Sequence, residues 1–166
     1  MRGSGMVAIG PPRGAADLDA IRVLFAEYAQ SLGFSLAYQG FEAELAQLPG
    51  KYAPPQGALL LARADGEVAG CVALRELETG ICEMKRLYVR PAHRGHRTED
   101  GLSVGRALAQ AVVAAARERG YRRLRLDTIS GKMDAAVRLY RSMGFVDIPP
   151  YYPSPIPDTA YMELIL

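Results

Sequence analysis

One stretch, Glu83 to Arg119, constrains the fold more than any other part of this chain. Strand-forming residues run into Arg90-Pro91, a basic loop containing glycines follows, and a helical pattern begins near Val104. Met84, Leu87 and Val89 are the apolar positions of the strand. A strand alternates with a period of two, so the step from Met84 to Leu87 is out of phase. One extra residue near Lys85 or Arg86 restores the phase and predicts a β-bulge, a device often found beside active sites. Pro91 ends the strand, because it has no N–H to give the ladder.

Beyond the proline, Val104, Leu108, Ala111, Val112 and Ala115 recur at helical spacing and predict a buried stripe. Ser103 is placed to cap the first turn and Gly120 stands just past the end. A helix N-terminus presents unpaired N–H groups and the positive end of the dipole, which suits phosphate. Arginines in the approach loop, Arg94 and Arg97, would add charge-assisted contacts to a polyphosphate. The same residues also fit a solvated basic loop before an ordinary surface helix. No Gly-Lys-Ser/Thr follows the loop, so it is not a Walker A cradle.

The rest of the chain frames that unit. Val7 to Ile9 is β-prone, and Leu18, Ile21, Leu24, Phe25, Tyr28 and Leu32 form a helical stripe ended by Gly33. A short helix is predicted from Phe41 to Leu48, stopped by Pro49-Gly50. Ala58 to Ala64 and Val68 to Leu77 read as a hairpin across Asp65-Gly66. Arg122 to Ile129 alternates charged and apolar residues, as a half-buried strand does. Following a crossover helix, it should pair parallel to the central strand. Lys132 to Met143 is the next helix, and Phe145 to Ile148 and Tyr161 to Leu166 are closing strands around a proline-rich segment.

Composition narrows the function. At 166 residues and 49% hydrophobic, the chain is one globular α/β domain, 1–166, with Met1 to Gly5 reading as an expression scar. A net charge of +2 is too small to argue for nucleic acid. The arginines at 117, 119, 122, 123 and 125 flank a helix end and alternate along a strand, as a solvated face does. No apolar run reaches membrane-spanning length. Cys71 and Cys82 fall inside predicted strands without C-x-x-C spacing, as small buried hydrophobes of a reducing compartment do. His93, His96, Glu99 and Asp100 lack ligand spacing, so no metal is expected.

Four segments stand in a telling order: KRLYVRPAHRG, GRALAQAVVAAARERG, RLRLDT and AAVRLYRSMGF. In that order they resemble the GNAT superfamily of acyl-CoA N-acyltransferases, from roughly Leu59 to the C-terminus. The family pattern is strand-R-G-x-G-x-G-helix, followed later by L-Y-x-x-x-G-F, here Leu139 to Phe145. The chain departs from it where His96 to Asp100 intervene, carrying Glu99 and Asp100, which would repel phosphate. Either the insert loops outward and Gly101 to Arg106 keep the cradle, or the cradle is damaged. The intact helix start favours the first.

The resemblance implies a single-domain mixed β-sheet with helices on both faces and a bulge in the central strand. It implies acetyl-CoA as cosubstrate and direct attack by a primary amine of a small-molecule or amino-acid-like acceptor. Tyr140 then stabilises the departing thiolate, and Glu83 is the candidate base, with an exposed strand glutamate as its bland counterpart. Backbone groups near Leu87 and Val89 pair with pantetheine, while Arg94, Gly95, Gly101, Val104, Gly105 and Arg106 take the pyrophosphate. Met133 stands where the family commonly has asparagine. Aromatic walls from Phe34 to Gly40 and from Tyr151-Tyr152 are candidates for the acceptor side. A cytoplasmic protein is expected, and a homodimer is admitted. The competing readings are a non-catalytic acyl-CoA-binding module of the same fold and a basic RNA-binding domain, the latter without any recognisable motif.

Overall fold

A computed structural model of the chain describes residues 6–129 and 133–166. Met1 to Gly5 and Lys132, the expected first residue of a helix, lie outside them. The elements in order are β1 (Val7–Gly10), α1 (Ala15–Ser31), α2 (Phe41–Gln47), β2 (Ala58–Ala64), β3 (Glu67–Glu78) and β4 (Ile81–Val89). They continue with α3 (Val104–Glu118), β5 (Arg123–Ile129), α4 (Asp134–Ser142), β6 (Val146–Ile148) and β7 (Thr159–Ile165). The seven strands form one sheet in the order β1-β2-β3-β4-β5-β7-β6. All neighbours are antiparallel except β4 and β5, which are parallel across the α3 crossover, as predicted.

Helices cover both faces of the sheet and divide the core in two. On one face Val104, Leu108, Val112 and Ala116 of α3 pack against Ala62, Val72, Leu74 and Leu124. On the other, Ile21, Leu24 and Phe25 of α1 pack with Phe41, Tyr52, Leu59 and Ala73. Each such large apolar side chain, fully buried, contributes about 1.5–3 kcal/mol. The α3 stripe is wider than the periodicity predicts, since Ala109 and Val113 are buried as well. Its end is set by Gly120 at φ 84°, where the left-handed turn lets the N–H of Tyr121 reach the carbonyl of Ala116.

Both cysteines are buried and free. Burial pushes the Cys82 thiol up to about 12 and the Cys71 thiol higher still, so neither is a nucleophile at neutral pH. No helix among the described residues is long and apolar enough to cross a membrane.

Candidate active site where two strands part

The predicted irregularity in β4 is present and falls at Arg86. Lys85 pairs with Ala73 and Tyr88 with Cys71, leaving Arg86 and Leu87 across from Val72. Arg86 carries φ of 63°, a conformation that a long side chain adopts only when its surroundings enforce it. The enforcement is visible. The Arg86 Nε and Nη2 donate to Glu44 Oε2 and Oε1, each at 2.9 Å, and Nη1 donates to Gln39 Oε1 at 2.8 Å. The guanidinium also lies over the Phe41 ring, 5.2 Å from its centre.

The bulge sits where β4 leaves its parallel neighbour. Pairing between β4 and β5 covers only Ile81 to Glu83 against Arg123 to Arg125, although both strands continue. Past that point the strands part around a cleft of about 380 Å³. Met84, Leu87 and Val89 line one side and Leu126, Asp127 and Thr128 the other, with Tyr28, Met133 and Tyr140 closing it. Tyr140, from the first face of the sheet, is nearly buried, and desolvation raises its phenol far above the ordinary value. Its ring leans on Phe145 at 5.7 Å, which keeps the side chain oriented. Met133 is held by the Thr128 hydroxyl, which donates to its sulfur at 3.2 Å.

The approach loop closes on itself. Arg97 and Ser103 bridge, the Thr98 N–H donates to the Leu102 carbonyl at 2.9 Å, and the Gly101 N–H donates to the Thr98 carbonyl at 2.9 Å. The inserted residues therefore make a small hairpin with Gly101, φ 82°, in its turn. Ser103 caps α3 as expected, its hydroxyl accepting from the Arg106 N–H at 3.1 Å. The Arg106 guanidinium reaches across to the Ser142 hydroxyl on α4. Arg94 folds back so that its Nε donates to the Val89 carbonyl at 3.0 Å, and it lines the cleft. The first turn of α3 abuts the end of β4: a Cβ on Gly105 would lie 3.8 Å from Val89 Cγ2. Leu87, Val89, Arg94 and Tyr140 thus meet at one cleft, with Gly105 at the start of α3 against Val89. Gly95, Gly101, Val104, Gly105 and Arg106 are not part of its wall.

Glu83 lies in the paired part of β4 and is only 2% exposed. Its Oε1 accepts from Arg75 Nε at 2.9 Å and its Oε2 from the Tyr151 hydroxyl at 2.7 Å. Burial pushes its carboxyl up, but Lys85, Tyr151 and Arg75 outweigh burial and hold it below the ordinary carboxylate value. Tyr151 belongs to an edge-on cluster with Tyr152 and Tyr161. The Tyr152 hydroxyl donates to Asp127 Oδ2 at 2.7 Å, so the proline-rich segment is tied to both carboxylates.

Asp127, Lys85 and Tyr28 line the cleft without a role there having been read from the sequence, whereas Gln39 comes from the Phe34 to Gly40 segment expected on the acceptor side. Asp127 had a signal, since it is the one acidic residue in RLRLDT. Lys85 lies within the bulge stretch. For Tyr28, which belongs to the helical stripe of a distant segment, there was none. Among the described residues no group of three or more His, Cys, Asp or Glu side chains could hold a metal.

Comparison with known proteins agrees with this geometry. Residues 20–145 match the model of the acetyltransferase (GNAT) family. An N-acetyltransferase of Schizosaccharomyces pombe is 43% identical over 150 residues, covering 89% of this chain and 88% of the relative. An acetyltransferase from Streptococcus agalactiae superposes with a TM-score of 0.75 at 20% identity, covering 100% of both chains. The PaiA N-acetyltransferase of Thermoplasma acidophilum, solved in complex with coenzyme A, superposes with a TM-score of 0.68 at 16% identity, covering 96% of this chain and 99% of that one.

Proposed function

Since this chain belongs to the acetyltransferase (GNAT) family and is an acyltransferase of it, we propose that it transfers the acetyl group of acetyl-CoA to the primary amine of a small-molecule or amino-acid-like acceptor. The observation that carries the reading is the parting of β4 and β5 beyond Glu83 and Arg125, with Tyr140 in the gap and the start of α3 at its mouth. Acetyl-CoA supplies an acetyl thioester: the amine nitrogen bonds to the carbonyl carbon, the C–S bond breaks, and sulfur leaves as a thiolate that takes up a proton.

The residues present fit that cosubstrate. Beyond the bulge the β4 edge facing β5 is unpaired, and backbone groups near Leu87 and Val89 would bind pantetheine amides as an added strand does. The first-turn N–H groups of Val104 and Gly105, with Arg94 beside them, would take the pyrophosphate. The Arg106 N–H donates to the Ser103 cap and its guanidinium reaches Ser142, so Arg106 would hold the helix start rather than touch phosphate, and Gly95 and Gly101 would not contact it.

Tyr140 would steady the thiolate by hydrogen bond, since desolvation keeps its phenol protonated at working pH. Glu83 stays ionised because the Lys85 charge and the Tyr151 and Arg75 donors hold it low. It would accept the amine proton only in passing, through the Tyr151 hydroxyl that touches it. The test is turnover on a panel of amines with acetyl-CoA, read as free-thiol release and product mass. Binding of acetyl-CoA without transfer to any amine would overturn the proposal.

A further inference from the structure

The charges around the bulge do not balance among themselves. Glu44 serves Arg86 and, at 3.6 Å, Lys51, while Glu83 serves Arg75. Lys85 is left over. Its side chain is only 10% exposed, its nearest carboxylate oxygen is Glu83 Oε1 at 4.0 Å, and among the described residues its ammonium has no acceptor within hydrogen-bonding distance. An ammonium held at the wall of a cleft without a hydrogen-bonded protein acceptor gains from a ligand that supplies one. The group lines the cleft between β4 and β5, so the acceptor can come from a ligand there.

The other cations near it are committed. Arg86 gives Nε and Nη2 to Glu44 and Nη1 to Gln39, and Arg75 gives Nε to Glu83 and Nη1 to the Glu76 carbonyl. Across the cleft Asp127 accepts from Tyr152 at Oδ2 and lines the wall on β5. The cleft therefore offers on one strand a cation held only at 4.0 Å from Glu83 and on the other a carboxylate, which is the complement of a molecule carrying both an anion and an amine.

We infer that Lys85 anchors a carboxylate of the acceptor, so that the acceptor is a free amino acid or a close analogue whose amine lies toward Asp127 and the thioester. The inference rests on acyl transfer at this cleft and adds to it the class of acceptor. Burial pulls the Lys85 ammonium below its ordinary value against the pull of Glu83 and Asp127, and a bound carboxylate would restore it.

The test compares the common L-amino acids with their C-terminal amides, using wild type, Lys85→Met and Lys85→Arg. Free-thiol release is followed for each, and acetyl-CoA affinity is measured separately by calorimetry. The acids should exceed the matched amides in kcat/KM by roughly 10- to 150-fold, the range for a hydrogen bond to a charged group. Lys85→Met should bring the acid to the level of its amide with acetyl-CoA affinity unchanged, and Lys85→Arg should recover part of the preference. Equal use of acids and amides by wild type overturns the anchor while acyl transfer stands. So does a Lys85→Met variant that loses acetyl-CoA instead of acid preference. If no amine reacts, acyl transfer to amines falls. N-acetyl amino acids titrated into CoA-loaded wild type and Lys85→Met then judge the anchor alone, and equal or absent binding overturns it.

Discussion

Glu44 on α2 and Arg86 on β4 form a two-pronged ion pair in the interior, with both N–O distances 2.9 Å. The pair joins the helix layer to the one non-glycine position of the central strand with positive φ. A bulge at a residue with a long side chain is strained by about 1–3 kcal/mol. Here that strain is offset by a guanidinium whose three nitrogens each donate to Glu44 or Gln39. The cleft depends on this arrangement, because β4 leaves β5 just before the bulge.

Glu44→Ala should therefore lower stability by about 3–5 kcal/mol, the cost of leaving one member of a buried pair alone. Urea denaturation followed by circular dichroism measures it. A loss under ~1 kcal/mol would mean that packing, rather than the ion pair, holds the bulge.

Acid should unfold the protein through the same carboxylates. Burial raises Glu44 and Glu83, but Arg86 and Lys51 for the first, and Lys85, Tyr151 and Arg75 for the second, bring both below the ordinary value. A carboxylate depressed in the folded state contributes stability that is complete above the unfolded value of ~4.3 and is lost as pH falls through the lower folded value. Urea midpoints should stay level from neutral pH to about pH 5 and then drop. Glu83→Gln should make that drop shallower; an unchanged slope would remove Glu83 from the account.

Tyr140→Phe keeps the ring against Phe145 and removes one oxygen from the cleft. The variant should lose ~10²–10⁴ in kcat, the range of a positioned proton donor. Its affinity for acetyl-CoA should hardly change, because the hydroxyl matters most as charge develops on sulfur. Acetylation at the parent rate, measured by thiol release, would make Tyr140 a packing residue.

The hairpin between Arg97 and Ser103 is closed by its own hydrogen bonds, so a shorter turn in place of Thr98 to Gly101 should leave coenzyme A affinity unchanged. Arg94→Ala should weaken coenzyme A by ~5-fold, the upper end for an exposed ion pair, and leave pantetheine binding alone. Calorimetry with both ligands separates the two. Loss of coenzyme A binding by the shortened loop with the fold intact would assign the phosphate contacts to the hairpin.

Gly70 faces the end of β4 where the cleft opens. A Cβ there would overlap the Tyr88 carbonyl and lie 3.2 Å from both Val89 Cα and Leu108 Cδ1. Because two of those three atoms are backbone, Gly70→Ala should cost about 1–3 kcal/mol by overpacking and weaken acetyl-CoA binding as β4 shifts. Thermal denaturation with and without acetyl-CoA tests both; an unperturbed midpoint would show that β4 can yield at this point.

Most of the fold was legible in the sequence, because local rules act on neighbours in the chain. The phase break between Met84 and Leu87, the stop at Pro91, the cap at Ser103 and the left-handed turn at Gly120 each follow from a few adjacent residues, and each stands where those residues predict. What the bulge is for was not legible. Arg86 reads in sequence only as a candidate position for the bulge, yet it is 3% exposed, because Glu44 and Gln39 reach it from segments more than forty residues away. Glu83 likewise reads as a half-exposed strand residue until Tyr151 arrives from the proline-rich segment at a separation of 68 residues. Periodicity records which face a residue takes, and a capping motif records which N–H it meets. Whether a charge is paired, buried or left open, as at Lys85, depends on partners that only the folded sheet brings within a few ångströms. Electrostatic energy falls with distance in space, not with separation along the chain.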